Sequence, residues 1–206
     1  MDRPLTYSSD VAFTPTVKAV QARLGSREAY ARMEARGGWQ TAIDDSLSDF
    51  IAGQRSFYLA TATADGQPYI QHRGGPPGFL KVLGPRTLAF ADLRGNRQYI
   101  SVGNLSENPK VHLFLMDYQE RARVKIWGEA RVIEDDAALL SSLVPAGSSG
   151  RPERAFVIDV VAWDANCPQH IPRRFEEEDV ARLLAVRDAR IADLEAQLAA
   201  SRARST

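Results

Sequence analysis

With 206 residues, 44% of them hydrophobic and 25% charged, the chain can bury one sizeable core and is too apolar to be a disordered segment. Its 26 Lys and Arg balance 26 Asp and Glu, so no bulk charge draws it to nucleic acid and any anion site has to be local. A single cysteine, Cys167, rules out a disulfide within one chain and a thiolate metal cluster.

The opening Met1-Asp-Arg-Pro-Leu5 lacks the apolar stretch of a signal peptide, and no run approaches the roughly 18 to 20 apolar residues of a membrane span. A cytoplasmic location with no membrane partner is therefore expected. From Thr14 to Phe50 the apolar residues Val17, Val20, Leu24, Tyr30, Met33, Ile43, Leu47 and Phe50 fall at helical spacings, and Gly37-Gly38 separates one helix from the next. Asp44 or Asp45 suits the amino end of a helix running from Ile43 to Ala52.

From Phe57 onward the pattern changes to short β-prone runs: Phe57 to Thr63, Tyr69 to His72, Phe79 to Leu83, Thr87 to Ala91, Val111 to Met116, Ala122 to Val132 and Ala155 to Val161. Asp65-Gly66 is a strong hairpin signal and Gly84-Pro85-Arg86 a plausible second turn. Short strands with tight returns predict a mainly β, antiparallel barrel or strongly curled sheet with α decorations, not a βαβ series. Asn96 to Leu105 is long enough for a helix across a barrel end, anchored by Tyr99, Ile100, Val102 and Leu105. Asp135 to Leu143 reads as a short helix ended by Pro145, and Gly147 to Gly150 as a surface excursion. Last, Val180, Leu184, Arg187, Ile191, Leu194 and Leu198 are spaced alternately four and three apart, a coiled-coil stripe interrupted by one arginine. A single amphipathic helix lying on its own subunit has the same pattern.

Two loops carry the chemistry. Arg73 precedes Gly74-Gly75-Pro76-Pro77-Gly78, and Arg94 precedes Gly95-Asn96-Arg97, each at the end of a predicted strand beside residues that permit close backbone approach. Guanidinium forks and turn amides suit a phosphate, which two such loops would serve from two sides. Arginine beside glycine also marks an ordinary solvated turn.

Taken in order, several segments resemble the pyridoxamine 5'-phosphate oxidase-like flavin-binding split barrels, in particular the group of predicted flavin mononucleotide (FMN) binding proteins. They are Phe57-Tyr-Leu-Ala-Thr-Ala-Thr-Ala-Asp-Gly-Gln-Pro68, Gln71-His-Arg-Gly-Gly-Pro-Pro-Gly-Phe-Leu80, Phe90-Ala-Asp-Leu-Arg-Gly-Asn-Arg-Gln-Tyr99 with its continuation to Leu105, Asn108-Pro109, Trp127-Gly-Glu-Ala130, and Asn166-Cys-Pro-Gln-His-Ile-Pro-Arg-Arg-Phe175. The resemblance spans about Ser46 to Phe175. It implies an N-terminal helical extension over 1–45, an FMN-binding split barrel over 46–175 and a C-terminal amphipathic helix over 176–206. It also implies a homodimer with FMN at the subunit interface. The phosphate maps onto Phe90 to Gln98, with Arg94, Asn96, Arg97 and Gln98 in or around it, Arg73 and Gln71 from the adjacent strand, and Lys81 as a further contact. Trp127, Gln169 and His170 are candidates beside the ring, although core packing explains Trp127 and a structural cap explains His170 equally simply. The biosynthetic oxidase has a serine-arginine-lysine run where this chain has Arg94-Gly-Asn-Arg97, and its closing arginine-leucine-alanine-proline type segment is absent here. Oxidation of the vitamin phosphate is therefore not implied.

Flavin chemistry needs no protein nucleophile, and the sequence offers none: no serine elbow, carboxylate pair or metal cluster is visible. Cys167 and His170 lack the setting of a nucleophilic pair, and His72 and His112 lack a third metal ligand. Arg121, Arg123 and Lys125 form a basic row on one strand face, either solvated or attractive to phosphate. The expected function is an FMN-dependent oxidoreductase exchanging electrons between a small donor, such as NAD(P)H, and an acceptor. The alternatives are a non-enzymatic FMN carrier or sensor and a barrel kept for dimerisation alone.

Overall fold

The computed structural model describes residues 6–145, 150–166 and 168–204; Cys167 and most of the Gly147–Gly150 loop lie outside them. The chain forms two compact units, Met1–Asp117 with Ala122–Pro168, and Tyr118–Arg121 with Gln169–Thr206.

The first unit opens with a short 3-10 helix (Ser8–Val11) and the helices α1 (Pro15–Arg23), α2 (Arg27–Ala35) and α3 (Asp45–Gly53). Thr14 caps α1 by accepting from the Val17 amide, with Pro15 at the first helical position, and Asp44 caps α3 by accepting from the Leu47 amide at 2.8 Å. Charge ties the first helices together. Lys18 Nζ lies 2.6 Å from Asp10 and 3.2 Å from Glu34, and Arg27 also pairs with Glu34. Burial opposes ionisation of Asp10, but the hydrogen bonds from Lys18 and the Tyr7 and Thr6 amides prevail and hold its carboxyl below the usual range.

Seven strands follow: β1 (Ser56–Ala62), β2 (Pro68–Gly74), β3 (Lys81–Gly84), β4 (Thr87–Leu93), β5 (Lys110–Asp117), β6 (Ala122–Ile133) and β7 (Pro152–Asn166). They make one antiparallel sheet in the order β2-β1-β5-β6-β7-β4-β3. The predicted strands are all present, each within a few residues of its expected bounds. Helix α4 (Ile100–Glu107) begins four residues later than the expected Asn96, because Asn96 turns the chain by accepting from the Gln98 amide. Helix α5 (Ala137–Leu143) packs its leucines on Ala89, Ala155 and Val157.

The sheet curls on itself. Phe57 of β1 meets Phe90 of β4 edge to face at 5.3 Å, and Arg73 of β2 pairs with Asp92 of β4, although β2 and β4 stand far apart in the strand order. Alternation explains the filling: Phe57 and Leu59, Leu113 and Leu115, Val124 and Ile126, Leu88 and Phe90, and Phe156 and Ile158 point inward and are buried. This is the expected mainly β, antiparallel split-barrel architecture with N-terminal helices.

One irregularity shapes β7. Trp127 pairs with Ala162 but Gly128 with Val160, so Val161 is an extra residue bulged out of the ladder. Beyond it Trp163 turns into the core, its indole donating to the Ala42 carbonyl at 2.8 Å. Gly128 sits where the strands close in: a Cβ there would lie 2.7 Å from the Asp159 carbonyl oxygen. Gly128→Ala is expected to destabilise the protein by about 1 to 3 kcal/mol through overpacking, read as a lower urea midpoint with an unchanged slope.

In the second unit, the Arg174 guanidinium lies 4.5 Å over the Tyr118 ring, and Glu177–Arg204 forms the long helix α6. Its first turn is acidic and its last basic, in keeping with the helix dipole. No helix among the described residues is long and apolar enough to cross a membrane.

Candidate functional site

Strand alternation gathers polar side chains at one end of the barrel. On β2 the residues Tyr69, Gln71 and Arg73 share a face; on β4, Asp92 follows the inward Leu88 and Phe90; on β7, Arg154 precedes the inward Phe156 and Ile158. The antiparallel register sets Asp92 opposite Arg154. These groups, the loop after β4 and the first turn of α4 enclose a cavity of about 230 Å³.

Asp92 is the hub. Its carboxylate accepts from Arg73 at 2.5 Å through one oxygen and from Arg154 at 2.8 Å through the other, and all three side chains are largely buried. Arg73 also lies over the rings of Phe90 and Phe156, at 5.4 and 5.1 Å, and its Nε is buried with no hydrogen-bond partner among the described residues. Arg154 reaches Glu134 and Glu153, both at 3.2 Å, and stacks on the Tyr99 ring at 5.0 Å. Burial opposes the Arg154 charge, but Asp92, Tyr99 and Glu153 outweigh it and raise its pKa.

The rim is freer. Arg97 is exposed and its Nε donates to the Tyr99 hydroxyl at 2.9 Å, a bond that raises the arginine pKa. Both Arg97 (φ 62°) and Tyr99 (φ 55°) adopt the left-handed conformation, which side chains disfavour and ligand clamps tolerate. Gln71 accepts from Ser101 at 3.1 Å, fixing β2 to the first turn of α4. The amides of that turn have no intrahelical acceptors and carry the positive end of the helix dipole. The cavity therefore combines an exposed arginine, helix amides, the Asn96 amide and the carboxamides of Asn96 and Gln98, a donor set suited to a phosphate monoester.

Among the expected site residues, the fold brings Gln71, Arg73, Asn96, Arg97 and Gln98 together here. Arg94 stands beside the cavity with its Nε 3.8 Å from Glu153 and its amide bonded to the Arg151 carbonyl. Lys81 lies half-buried on β3, paired in register with Ala89. Trp127 stacks on Trp39 at 4.5 Å under the N-terminal segment. Neither Lys81 nor Trp127 lines this cavity. Gln169 and His170 belong to the second unit, where both are exposed and His170 has φ 64°. Sequence reading missed Asp92, Tyr99, Ser101 and Arg154. A signal existed for two of them, since Asp92 and Arg154 continue the inward faces of apolar strands, where a charge needs a buried partner. Asp92→Ala leaves two guanidiniums without their carboxylate and is expected to cost about 3 to 5 kcal/mol, measurable by denaturant unfolding.

On the outer sheet face, Ala60, Ala62, Pro68, His112 and Trp127 line a larger, more apolar cavity of about 770 Å³. Burial, then the nearby Lys125 charge, push the His112 pKa below its ordinary value. The unfolded chain thus takes up this proton more readily. The stability contribution is complete above the unfolded pKa of about 6.5 and is lost as pH falls below it. His112→Gln should flatten that part of the stability–pH curve in thermal melts.

A family model described as pyridoxamine 5'-phosphate oxidase matches residues 43–167. No curated protein matches the chain. Among solved structures, HupZ of Group A Streptococcus is 19% identical with a TM-score of 0.50, over 65% of this chain and 99% of that one. General stress protein 26 of Bacillus anthracis is 18% identical with a TM-score of 0.44, over 57% and 89%. An FMN-binding protein of Syntrophomonas wolfei is 14% identical with a TM-score of 0.47, over 74% and 95%. At such identities the likeness is one of fold.

Proposed function

The chain belongs to the pyridoxamine 5'-phosphate oxidase family, and from that premise we propose that it is an FMN-dependent oxidoreductase, passing electrons between a small donor such as NAD(P)H and an acceptor. The carrying observation is the polar cavity at the barrel end, where Arg97, Asn96, Gln98 and the first turn of α4 offer donors to one phosphate.

The arginines divide the work. Asp92 already pairs with Arg73 and Arg154, and Glu134 and Glu153 also pair with Arg154, so the two arginines form the floor and hold its shape, with the unpartnered Arg73 Nε as one donor left over. Arg97, whose hydrogen bond goes to a neutral hydroxyl, is the cation free to exchange partners for a phosphate. Arg94 adds charge from the side. FMN, when bound, supplies the hydride and one-electron chemistry; these residues bind and orient it. The family's vitamin-phosphate oxidation is not carried over, because Arg94-Gly-Asn-Arg97 stands where the biosynthetic oxidase has a serine-arginine-lysine run.

A homodimer with the flavin at its interface belongs to the same reading. Supporting it, the outer face of β2, β1 and β5 sets Tyr58 opposite Phe114 and Ile70 opposite the neighbouring Ala60, with Ile70 64% and Tyr58 39% exposed. In the same reading Lys81 is a further phosphate contact, and Trp127, Gln169 and His170 are the candidates beside the flavin ring.

A carrier or sensor is the second reading, and one observation favours it. Asp92 is locked between two guanidiniums and Glu153 is paired with Arg154, so neither carboxylate of the cavity is free to act as a base.

The recombinant protein is expected to bind FMN near one per subunit, with a flavin absorption spectrum. Arg97→Ala should weaken binding about tenfold while leaving the unfolding midpoint nearly unchanged; equal affinity in that variant removes the phosphate assignment. Anaerobic NAD(P)H should bleach the bound flavin. Saturable binding without bleaching by any small donor establishes the carrier reading instead.

A further inference from the structure

The long helix α6 carries an apolar stripe that its own unit leaves uncovered. None of its residues is buried, and Val180, Leu184, Ile191, Leu194 and Leu198 are between 41% and 53% exposed. Twenty-eight residues make about four heptads and about 42 Å of helix. The stripe follows the 3.5-residue repeat of a supercoil: Leu184, Ile191 and Leu198 occupy the a positions, and Val180, Arg187 and Leu194 the d positions. Outside it the helix is rich in alanine and braced by the pairs Arg182–Asp179 at 2.9 Å and Arg190–Asp193 at 2.5 Å. Such a rod is helical by propensity, but its seam needs a partner.

We infer that α6 pairs in parallel with α6 of a second copy of this chain, as a two-stranded coiled coil. Charge selects the partner and its direction. In a parallel pair, Arg190 at a g position faces Glu195 at the following e position of the other strand, twice by symmetry. An antiparallel pair that keeps the seam in full overlap sets Val180 against Leu198 and Leu184 against Leu194, and thereby apposes Arg190 to Arg190 and Asp188 to Asp188. In the seam the antiparallel arrangement would set Arg187 against Ile191, whereas at the e and g positions only the parallel one meets opposite charges. Its one polar layer, Arg187 against Arg187, is flanked by Asp188 of the other strand, and a charged layer of this kind fixes register at a cost in stability. The isoleucine and leucines at a and d complete the seam. This inference does not depend on the flavin reading.

Disulfide trapping in the full-length protein tests it. Cys167→Ser removes the chain's one thiol, and Leu194→Cys or Ala189→Cys then places a new one on the seam or on the opposite face. Under mild oxidation Leu194→Cys should yield roughly tenfold more covalent dimer than Ala189→Cys, because only seam positions bring two Cβ atoms within disulfide reach. Equal yields overturn the proposal and place the helix on its own subunit or on no partner. Dimer formed by Leu184→Cys with Leu194→Cys, but not by Leu194→Cys alone, overturns the parallel direction. Arg187→Leu, which removes the charged layer, should raise the melting temperature of α6 followed by helical circular dichroism; an unchanged or lower value also counts against pairing. FMN titration of the same variants reads the barrel separately, so failure of one assignment leaves the other standing.

Discussion

The carboxylate of Asp92 is the constraint on which the barrel and its cavity both rest. It joins β2 to β4, strands that share no ladder, and it does so at the end of the core where Phe90 and Phe156 stack at 5.0 Å. Two guanidiniums on one carboxylate are expensive to desolvate, and the excess positive charge is offset by Glu134 and Glu153 on Arg154, so that removing any one partner leaves a buried charge exposed to its neighbours. Replacing the trio with apolar residues would close the barrel as well but would erase the polar end. The charged clamp therefore keeps the curled sheet compatible with an open, water-facing cavity.

That arrangement also separates rigidity from exchange. The inner arginines are fixed by Asp92 and by aromatic rings below, while the outer one hangs on a loop with two left-handed residues and a hydrogen bond to a phenol. The phosphate proposed for this rim would meet a preformed floor and reorganise chiefly the Arg97 side chain. Preorganised donors beneath an adjustable one are a common solution where a ligand must be held yet released.

Much of this was legible in the sequence, and the reasons are local. Period-two alternation located the strands, Asp65-Gly66 located the first hairpin, and the Arg94-Gly-Asn-Arg97 run located the rim. What escaped was pairwise. Nothing in one strand tells that Asp92 lies opposite Arg154 or that Arg73 reaches across to it, because register is fixed by the whole sheet. For the same reason Arg73 read as a ligand from its loop, whereas the fold spends most of its charge on Asp92. The late start of α4 was missed because Asn96 competes for the backbone through its own side chain.

The extra residue Val161 gives β7 two parities. Before it, even-numbered residues from Arg154 to Val160 look into the barrel; after it, the odd-numbered Trp163 does. One continuous strand thereby furnishes an arginine to the cavity at one mouth and a tryptophan anchor for the N-terminal segment at the other, a division of labour that strict alternation over the same span forbids. The bulge absorbs that one residue without shifting the ladder, so that Val160 still faces Gly128 and Trp163 still faces Ile126, and the strand spans both mouths with its inward pairs intact on either side.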